Sequence, residues 1–497
     1  MRSLSGDLLL QRLGEQADNK LHKRLYNAIR TSILDGSLPP SSRLLASRDL
    51  AQELGLSRNT VLTVYEQLLA EGYVYSRQGS GTFVAETVPD SYLSTGHQPI
   101  HADGEQRHIE LSQRGAALLH HASASPKQWG PFIPGVPDVN AFPHHIFSKI
   151  QARISHSPTS QRLTYSHQGG SPELQHALVD YLRVSRSVRC SPDQILITEG
   201  IHQAIDLVTR MLCNPGDIAW IEEPGYWGIR NILRMNDVNI CPWEVDEAGM
   251  APPEQPARAP RLIFVTPSHQ YPLGSVMSLA RRQRLLALAR AAGGWIVEDD
   301  YDSEFRFSGQ PIPALQGLEA NAPVIYIGTF SKTLYPALRL GYVVLPEPLV
   351  DALKTAHAEL YRGGHLIMQT ALAQFIQEGY YAAHIRRMRL LYAKRRIFLT
   401  GLIEQHLGKQ AIGEFSSNAG LHLVLNLPDD ADDVAIAALA NQKGVLVRAL
   451  SRYYMRPNAR RGLLMGFACV PEEQMGAAFN ILLSCIHAPK SQDLNAS

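Results

Sequence analysis

Lys332 lies in "GTFSKTLYPALRLGY", residues 328–342, and the strand-like run "VIYIG" leads into that stretch. A lysine amine condenses with an aldehyde only when it is partly neutral, so it needs burial or neighbouring cations. The hydroxyls of Thr329 and Ser331 and the guanidinium of Arg339 flank it and suit a phosphate. Three other stretches offer matching groups. "WIVEDDYDSEF" sets Asp299 and Tyr301 just beyond an apolar run. "ILITEGIHQAIDL" reads strand, glycine, helix. The amides after Gly200, those of Ile201 and His202, therefore form an anion cradle at a helix start. "EEPGYWG" offers the ring of Tyr226 as a stacking face.

Pyridoxal 5'-phosphate has these needs. Its aldehyde takes a lysine, its pyridine nitrogen takes a carboxylate that keeps the ring an electron sink, and its phosphate takes amides and an arginine. Asp299 is the candidate for the pyridinium and Tyr301 for the phenolic oxygen. Each group alone has a blander reading. A lone loop lysine is usually a surface charge, and a Glu-Asp-Asp run is usually a solvated strand end. A tyrosine after Pro-Gly is usually packing. Their joint order along one chain carries the cofactor reading.

Something must hold these groups together. From about residue 128, short apolar runs ("QILIT", "DIAWIE", "RLIFVT", "WIVED", "VIYIG", "GYVVL") alternate with helical segments such as "HQAIDLVTRML" and "LARRQRLLALARAA". That alternation predicts an α/β domain with a mostly parallel sheet and helices on both faces. Beyond 350 the pattern turns helical and ends in a smaller α/β segment, from "GLHLVLNLP" to "NILLSCIH". The expected division is a loosely ordered N-terminus over 1–20, a separate small domain over 21–85, a linker over 86–127 and the α/β domain over 128–490. The linker is rich in Pro, Gly, Ser, Thr and His, with one short helix expected near "RGAALLHHA". As a flexible coil of roughly 40 residues it would span about 30–40 Å.

Residues 21–84 pose a different chemistry. "LHKRLYNAIRTSILDG" repeats apolar residues at Leu21, Leu25, Ile29 and Ile33, a helical period. "SRDLAQELGLSRNTVLTVYEQLLAEG" reads as two helices broken at Gly55, with Ser47 and Ser57 as candidate caps. In the second, Val61, Val64, Tyr65 and Leu68 form one buried stripe. That leaves Arg58, Asn59, Thr60 and Thr63 on the open side of its first turns, the arrangement of a recognition helix. Asn suits adenine and Thr the thymine methyl. "YVYSRQGSGTFVA" adds two short strands as a wing, with Arg77 for the phosphate backbone and Gly79 and Gly81 for the turn. Arg48 and Ser57 complete the candidate contacts. From periodicity alone, a small helical docking module fits equally well.

Composition bounds these readings. The chain has 497 residues, a formal net charge of +1 and 45% hydrophobic residues. Residues 21–84 hold seven Lys/Arg against five Asp/Glu, so charge alone does not argue for DNA. Cys190, Cys213, Cys241, Cys469 and Cys485 are odd in number and have no metal or redox spacing, as expected of free thiols in a reducing cytoplasm. No metal site is expected. No apolar run is long enough to span a bilayer, and Asp7 argues against a signal peptide.

Over about residues 21–85 the chain resembles the winged helix-turn-helix of the GntR superfamily, most specifically in "LGLSRNTV", "AEGY" and "GSGTFV". Two stretches depart from that pattern: Pro40-Ser41 stands for the usual Pro-Gly, and Leu45-Ala46-Ser47 for Leu-Pro-Ser. Residues 128–487 resemble a fold-type I, aspartate-aminotransferase-like domain. The phosphate turn, "PGY", Asp-x-Tyr, "SK" and an arginine seven residues on appear in that family's order. The two in series resemble the MocR/GabR/PdxR regulators. This resemblance implies a pyridoxal 5'-phosphate-binding transcription regulator that binds double-stranded operator DNA. It implies sensing of the cofactor itself or of an amino-acid-like metabolite. It also implies a homodimer, with the winged domain free to pack on its own or its partner's large domain, a domain-swapped form included. Tyr165, in "YSHQGGSPELQHALVDYL", is then the tyrosine that reaches the partner subunit's phosphate.

Two departures bear on catalysis. Tyr271 stands in the Asn place of the Asn-Pro pair, with His269 and Gln270 as candidate pocket lining. Leu464 stands where the substrate-carboxylate arginine is usual, and Arg460 and Arg461 are out of register. Half-reactions at most are expected. Aminotransferase turnover is the alternative.

Overall fold

A computed structural model describes residues 3–14, 20–77, 79–86, 111–120, 127–253, 258–309, 312–413, 419–457 and 459–488. The chain divides into two compact units, residues 1–110 and 111–497. Most of the expected linker, residues 87–110 and 121–126, lies outside the described residues. The short helix expected in it is Gln113–His120.

The first unit contains helices α1 (Leu4–Gly14), α2 (Leu21–Leu34), α3 (Ser47–Leu54) and α4 (Arg58–Ala70), then strands β1 (Val74–Arg77) and β2 (Gly81–Val84). Leu25, Ile29 and Ile33 are buried as their period requires, whereas Leu21, at the open start of α2, is 46% exposed. On α4, Val61, Val64, Tyr65 and Leu68 all face the core. Ser57 caps α4 by accepting the Thr60 amide at 3.1 Å. Ser47 does not cap: α3 begins after Ala46 and has no side-chain cap. The antiparallel β1–β2 pair makes the wing. Ser41 adopts φ 62°, a left-handed turn that a glycine would take without strain.

The leading segment corrects an expectation. Residues 4–14 are helical, and Leu9 and Leu13 join the winged-domain core. The Ser3 hydroxyl donates to Glu53 at 2.7 Å, and Arg12 pairs with Asp35 at 2.6 Å. At Gly6 an added Cβ would fall 1.8 Å from the Glu53 carboxylate, so a larger residue would push that side chain aside. The polar residues between the leucines concealed an amphipathic stripe that α2 and α3 bury.

The second unit is built on an eight-stranded sheet ordered β3-β10-β9-β8-β7-β4-β5-β6. Its strands are β3 (Ile195–Thr198), β4 (Ile218–Glu223), β5 (Asn239–Asp246), β6 (Gly249–Met250), β7 (Leu262–Val265), β8 (Trp295–Asp300), β9 (Val324–Thr329) and β10 (Gly341–Val344). β5, β4, β7, β8 and β9 run parallel. β10 is antiparallel to both β9 and β3. It returns from β9 through a short irregular segment with no crossover helix, which forces the reversal. β5 had no counterpart in the apolar runs because Pro242 and half-exposed residues interrupt its pattern.

β3 therefore points the same way as β9. The carboxyl ends of β3, β9, β8, β7 and β4 and the amino end of β10 all meet at one edge, the usual ligand edge of an open α/β sheet. The long helix Tyr380–Leu407 leads to a smaller sheet, β11 (His422–Asn426), β12 (Arg448–Ala449) and β13 (Gly462–Gly466), ordered β11-β13-β12. The helices Asp433–Gln442 and Glu472–Ile486 also belong to this smaller part.

Candidate functional site

Lys332 follows the end of β9, and its amine lies across from Gly135, where an added Cβ would sit 3.1 Å from Nζ. Gly135 has φ 72° and belongs to a segment not singled out in the sequence. Burial pushes the Lys332 amine below its ordinary range, opposed by the charges of Asp302 and Asp299. The neutral, nucleophilic form gains by that.

The acidic run at the end of β8 divides its labour by strand alternation. Glu298 accepts the amides of Leu315 and Gln316 at 2.8 and 3.0 Å, tying down a loop. Asp300 accepts from Arg186 at 2.6 Å and from the Tyr326 hydroxyl at 2.5 Å. Asp299, between them, has a buried Oδ1 with no hydrogen-bond partner. Burial, then the charge of Asp300, push its carboxyl up to about 7, with Lys332 opposing. A buried orphan acceptor of this kind costs free energy until a cationic donor meets it. A pyridinium N–H fits it.

The phosphate candidates also gather. Gly200 has φ 85° and caps the helix Ile201–Leu212. An added Cβ there would meet the Arg339 guanidinium at 3.3–3.4 Å, so glycine brings Arg339 against the helix start. Arg339 donates to the Glu199 carbonyl at 2.8 Å. Thr329 is buried and accepts the Ser331 amide at 3.1 Å. The Arg339 guanidinium thus stands at the positive end of this helix.

Tyr226 precedes the helix Trp227–Met235, and its hydroxyl lies 2.8 Å from His202 Nε2. Gly228 admits this contact, since a Cβ there would fall 2.5 Å from the Tyr226 ring. Burial, then Arg339 and Lys332, hold His202 below its ordinary range, which favours a neutral imidazole. Tyr301 is buried, with its hydroxyl 2.9 Å from His269 Nδ1. That nitrogen also faces both Asp302 oxygens at 3.0 and 3.1 Å. His422 completes this buried group, its ring 5.1 Å from that of His269. Donor atoms of His269, Asp302 and His422 lie within 4.8 Å of one another, close enough for a metal. Both Asp302 oxygens are already within reach of His269, and His422 Nε2 is 3.2 Å from the Pro272 carbonyl. The group reads as a hydrogen-bonded support for Tyr301.

Tyr271 places its ring 5.7 Å from both Tyr226 and Tyr301, and its hydroxyl 3.1 Å from that of Tyr453. Gln270 does not line a pocket. It is 1% exposed, donates to the Pro224 carbonyl at 2.8 Å and accepts the Leu273 amide at 3.0 Å, so it braces the loop. Leu464 is buried among Leu273, Val424, Leu450 and Tyr453. Tyr165 is not gathered within this chain. It is 67% exposed, with Arg362 over its ring at 5.7 Å. Asp302, His422, Gly135 and Arg186 were not picked out in the sequence, because only the fold brings them to this edge.

On the winged unit, Arg48, Arg58, Asn59 and Thr63 are exposed, and Thr60 is half-buried. Thr63 donates to the Asn59 carbonyl at 3.0 Å, so its methyl is the free feature. Gly79 and Gly81 have φ 76° and 113°, which only glycine takes readily at the wing tip. Arg77 lies over the rings of Tyr75 and Phe83 at 5.6 and 5.8 Å. Arg43, not singled out in the sequence, bridges to Phe83 beside the wing.

A winged helix ahead of a fold-type I sheet with lysine, aspartate, tyrosine and arginine at its ligand edge defines a class: transcription regulators headed by a GntR module and built on an aminotransferase scaffold. The family model described as bacterial regulatory proteins, gntR family, matches residues 21–84. Aminotransferase class I and II matches residues 138–482. The chain is 39% identical to the probable rhizopine catabolism regulatory protein MocR of Rhizobium meliloti, over 96% of each. It is 32% identical to the pyridoxine biosynthesis transcriptional regulator PdxR of Corynebacterium glutamicum, over 91% of this chain and 93% of that protein. Among solved structures, the multiple substrate aminotransferase of Thermococcus profundus superposes with a TM-score of 0.66 at 25% identity, covering 76% of this chain and 95% of that one. The chain belongs to the MocR/PdxR/TauR-type family of GntR transcriptional regulators. No helix among the described residues is long and apolar enough to cross a membrane.

Proposed function

We propose that this regulator holds pyridoxal 5'-phosphate on Lys332 and uses it to sense a metabolite, or the cofactor's own level, in the cytoplasm. The observation that carries the reading is Asp299 Oδ1, buried and without a partner on the same sheet edge as Lys332. Bound, the cofactor would supply an aldehyde for the lysine and a ring that withdraws electrons. The chain's residues do the rest. Burial keeps the Lys332 amine ready to lose its proton. Asp299 holds a proton on the ring nitrogen. Tyr301, set by His269 and Asp302, donates to the phenolic oxygen. Tyr226 covers the ring. Gly200, Ile201, His202, Thr329, Ser331 and Arg339 hold the phosphate. Tyr165, exposed on its own subunit, reaches the partner's phosphate in a homodimer.

Arg58, Asn59, Thr60 and Thr63 read the operator's major groove. Arg48, Ser57 and the wing residues Arg77, Gly79 and Gly81 meet the phosphate backbone. Regulation follows when cofactor and effector bind two states of the dimer with unequal affinity. Sustained transamination is not favoured, because Leu464 presents an apolar side chain where a carboxylate clamp is needed. A footprint of DNA from the native locus, with and without pyridoxal 5'-phosphate, tests the reading. A protected operator whose pattern changes with the cofactor is expected. An identical footprint in both conditions would refute sensing through the cofactor.

A further inference from the structure

Two groups contend for one atom beside the cofactor edge. His269 Nδ1 lies 2.9 Å from the Tyr301 hydroxyl and 3.0 and 3.1 Å from the two oxygens of Asp302. A ring nitrogen carries either one proton or one lone pair. It can donate to Asp302 or accept from Tyr301, and it cannot do both.

The surroundings decide the contest. Asp302 is 1% exposed, and among the described residues His269 is the only hydrogen-bond partner of its side chain. A buried carboxylate without a donor costs far more than a phenol without an acceptor. Gly420 keeps acid and ring in contact, since an added Cβ there would fall 2.0 Å from the His269 ring and 2.8 Å from Asp302. His422 does not relieve the shortage of protons. Its Nε2 donates to the Pro272 carbonyl at 3.2 Å, and its buried Nδ1 has no partner. Burial keeps that ring neutral. The proton on His269 Nδ1 therefore belongs to Asp302, and the hydrogen bond of one ring nitrogen fixes the tautomer of the whole ring. Among the described residues the Tyr301 oxygen meets no other hydrogen-bonding side chain. Its own proton must point away from His269.

We propose that Asp302 is a positioning residue: by holding the proton of His269 Nδ1 it turns the Tyr301 hydroxyl outward, as a donor to the cofactor's phenolic oxygen. That bond favours the ionised oxygen, and so helps the nitrogen of Lys332, once joined to the cofactor, to give up its proton. Asp302 thus works against its own field. Burial lowers the hold of the Lys332 amine on its proton, and Asp302 is the first charge that opposes this. Tyr271, Asp299 and Glu222 also face the Tyr301 hydroxyl, Asp299 faces Lys332, and Lys332 acts on His202 and His422. All of these stay in place in the variants below. The inference rests on the cofactor reading above and names what tunes that site.

The test follows the pH at which the visible band of the lysine-linked cofactor changes, in the full-length loaded protein. Asp302→Leu has two effects of opposite sign. Loss of the negative field lets the proton leave more easily, which lowers the midpoint. Release of Nδ1 lets Tyr301 turn inward to His269, so the phenolic oxygen loses its donor and the midpoint rises. A net rise of about one pH unit is expected, on the scale of one charge-assisted hydrogen bond. Asp302→Asn still occupies Nδ1 and removes only the charge, so it should lower the midpoint. In a Tyr301→Phe background Asp302→Leu should lower it too, because only the field is left to change. A fall or no change in the Asp302→Leu single variant, or an equal rise in the Tyr301→Phe background, would overturn the proposal.

A second measurement needs neither that variant nor the cofactor. Nitrogen NMR of the cofactor-free protein, with the His269 signals identified by their loss in His269→Gln, should show the proton on Nδ1. A proton on Nε2 alone would overturn the proposal by itself. Absence of any visible band in the wild-type protein would sink the cofactor reading and this inference together, whereas a band with the wrong shift sinks the inference alone.

Discussion

The two units place their functional groups in opposite settings. On the winged unit, Arg58, Asn59 and Thr63 are exposed, and the fold is complete without them. At the sheet edge, Lys332, Asp299 and Tyr301 sit where burial disfavours their charged forms. A surface that reads DNA costs its domain little, because water satisfies it until the ligand arrives. A buried seat carries an energetic penalty beforehand, and its ligand relieves that penalty. Mutations should therefore affect folding and binding together in the second unit, and separately in the first.

The largest effect is expected from Lys332→Ala. The visible absorbance of the lysine-linked cofactor should vanish, while DNA binding by the winged unit persists. Unchanged absorbance would remove the central claim. Asp299→Asn should weaken cofactor binding by about a hundredfold, on the order of 3 kcal/mol for one charge-assisted bond in a dry site. The same variant should stabilise the cofactor-free protein. With the folded carboxyl raised to about 7 from an ordinary 3.8, its proton is held more tightly folded than unfolded. Its stability contribution is full below about pH 4 and is lost as pH rises through about 7. Chemical denaturation at pH 5 and pH 8 should show the gain from Asp299→Asn mainly at pH 8. A gain of equal size at both values would mean that the carboxyl does not titrate in this window.

Smaller effects belong to the exposed unit. Asn59→Ala should cost about 1–3 kcal/mol of operator affinity and relax sequence preference at one base pair, with stability unaltered. Arg77→Ala should weaken binding evenly across sequences and reduce the salt slope by about 1. If the two variants behave alike in a salt titration, the division into base-reading helix and backbone-holding wing is wrong. Smallest is Ser41→Gly, which should stabilise the winged unit by about 1 kcal/mol by relieving the left-handed turn. A melting shift in the other direction would mean the Ser41 hydroxyl, 3.2 Å from Glu86, matters more than its backbone.

The same contrast explains how much was legible. The recognition helix could be read from Val61, Val64, Tyr65 and Leu68, because a helix turns a periodic string into a face within four turns. The leading helix was missed because Leu9 and Leu13 are set among polar residues and become core only when α1 packs on α2 and α3. At the sheet edge, the motif residues Lys332, Asp299, Tyr226, Gly200 and Arg339 were recognisable, each beside a strand end. Their supports were not. His422 is separated from Tyr301 by more than a hundred residues, and Arg186 by nearly as many, so no local pattern links them.

What the sequence by itself determined was the inventory: a winged module, an alternating α/β domain, a lysine with candidate phosphate ligands beside it, and the absence of arginine at 464. These follow from local periodicity and from motifs that each fit on one strand end. Only the tertiary structure decided which acid of "EDDYD" is left unpaired, since Arg186 and Tyr326 claim Asp300 and leave Asp299 open. It alone set Arg448 across from Leu464, because strand register, not sequence distance, decides which side chains share a face.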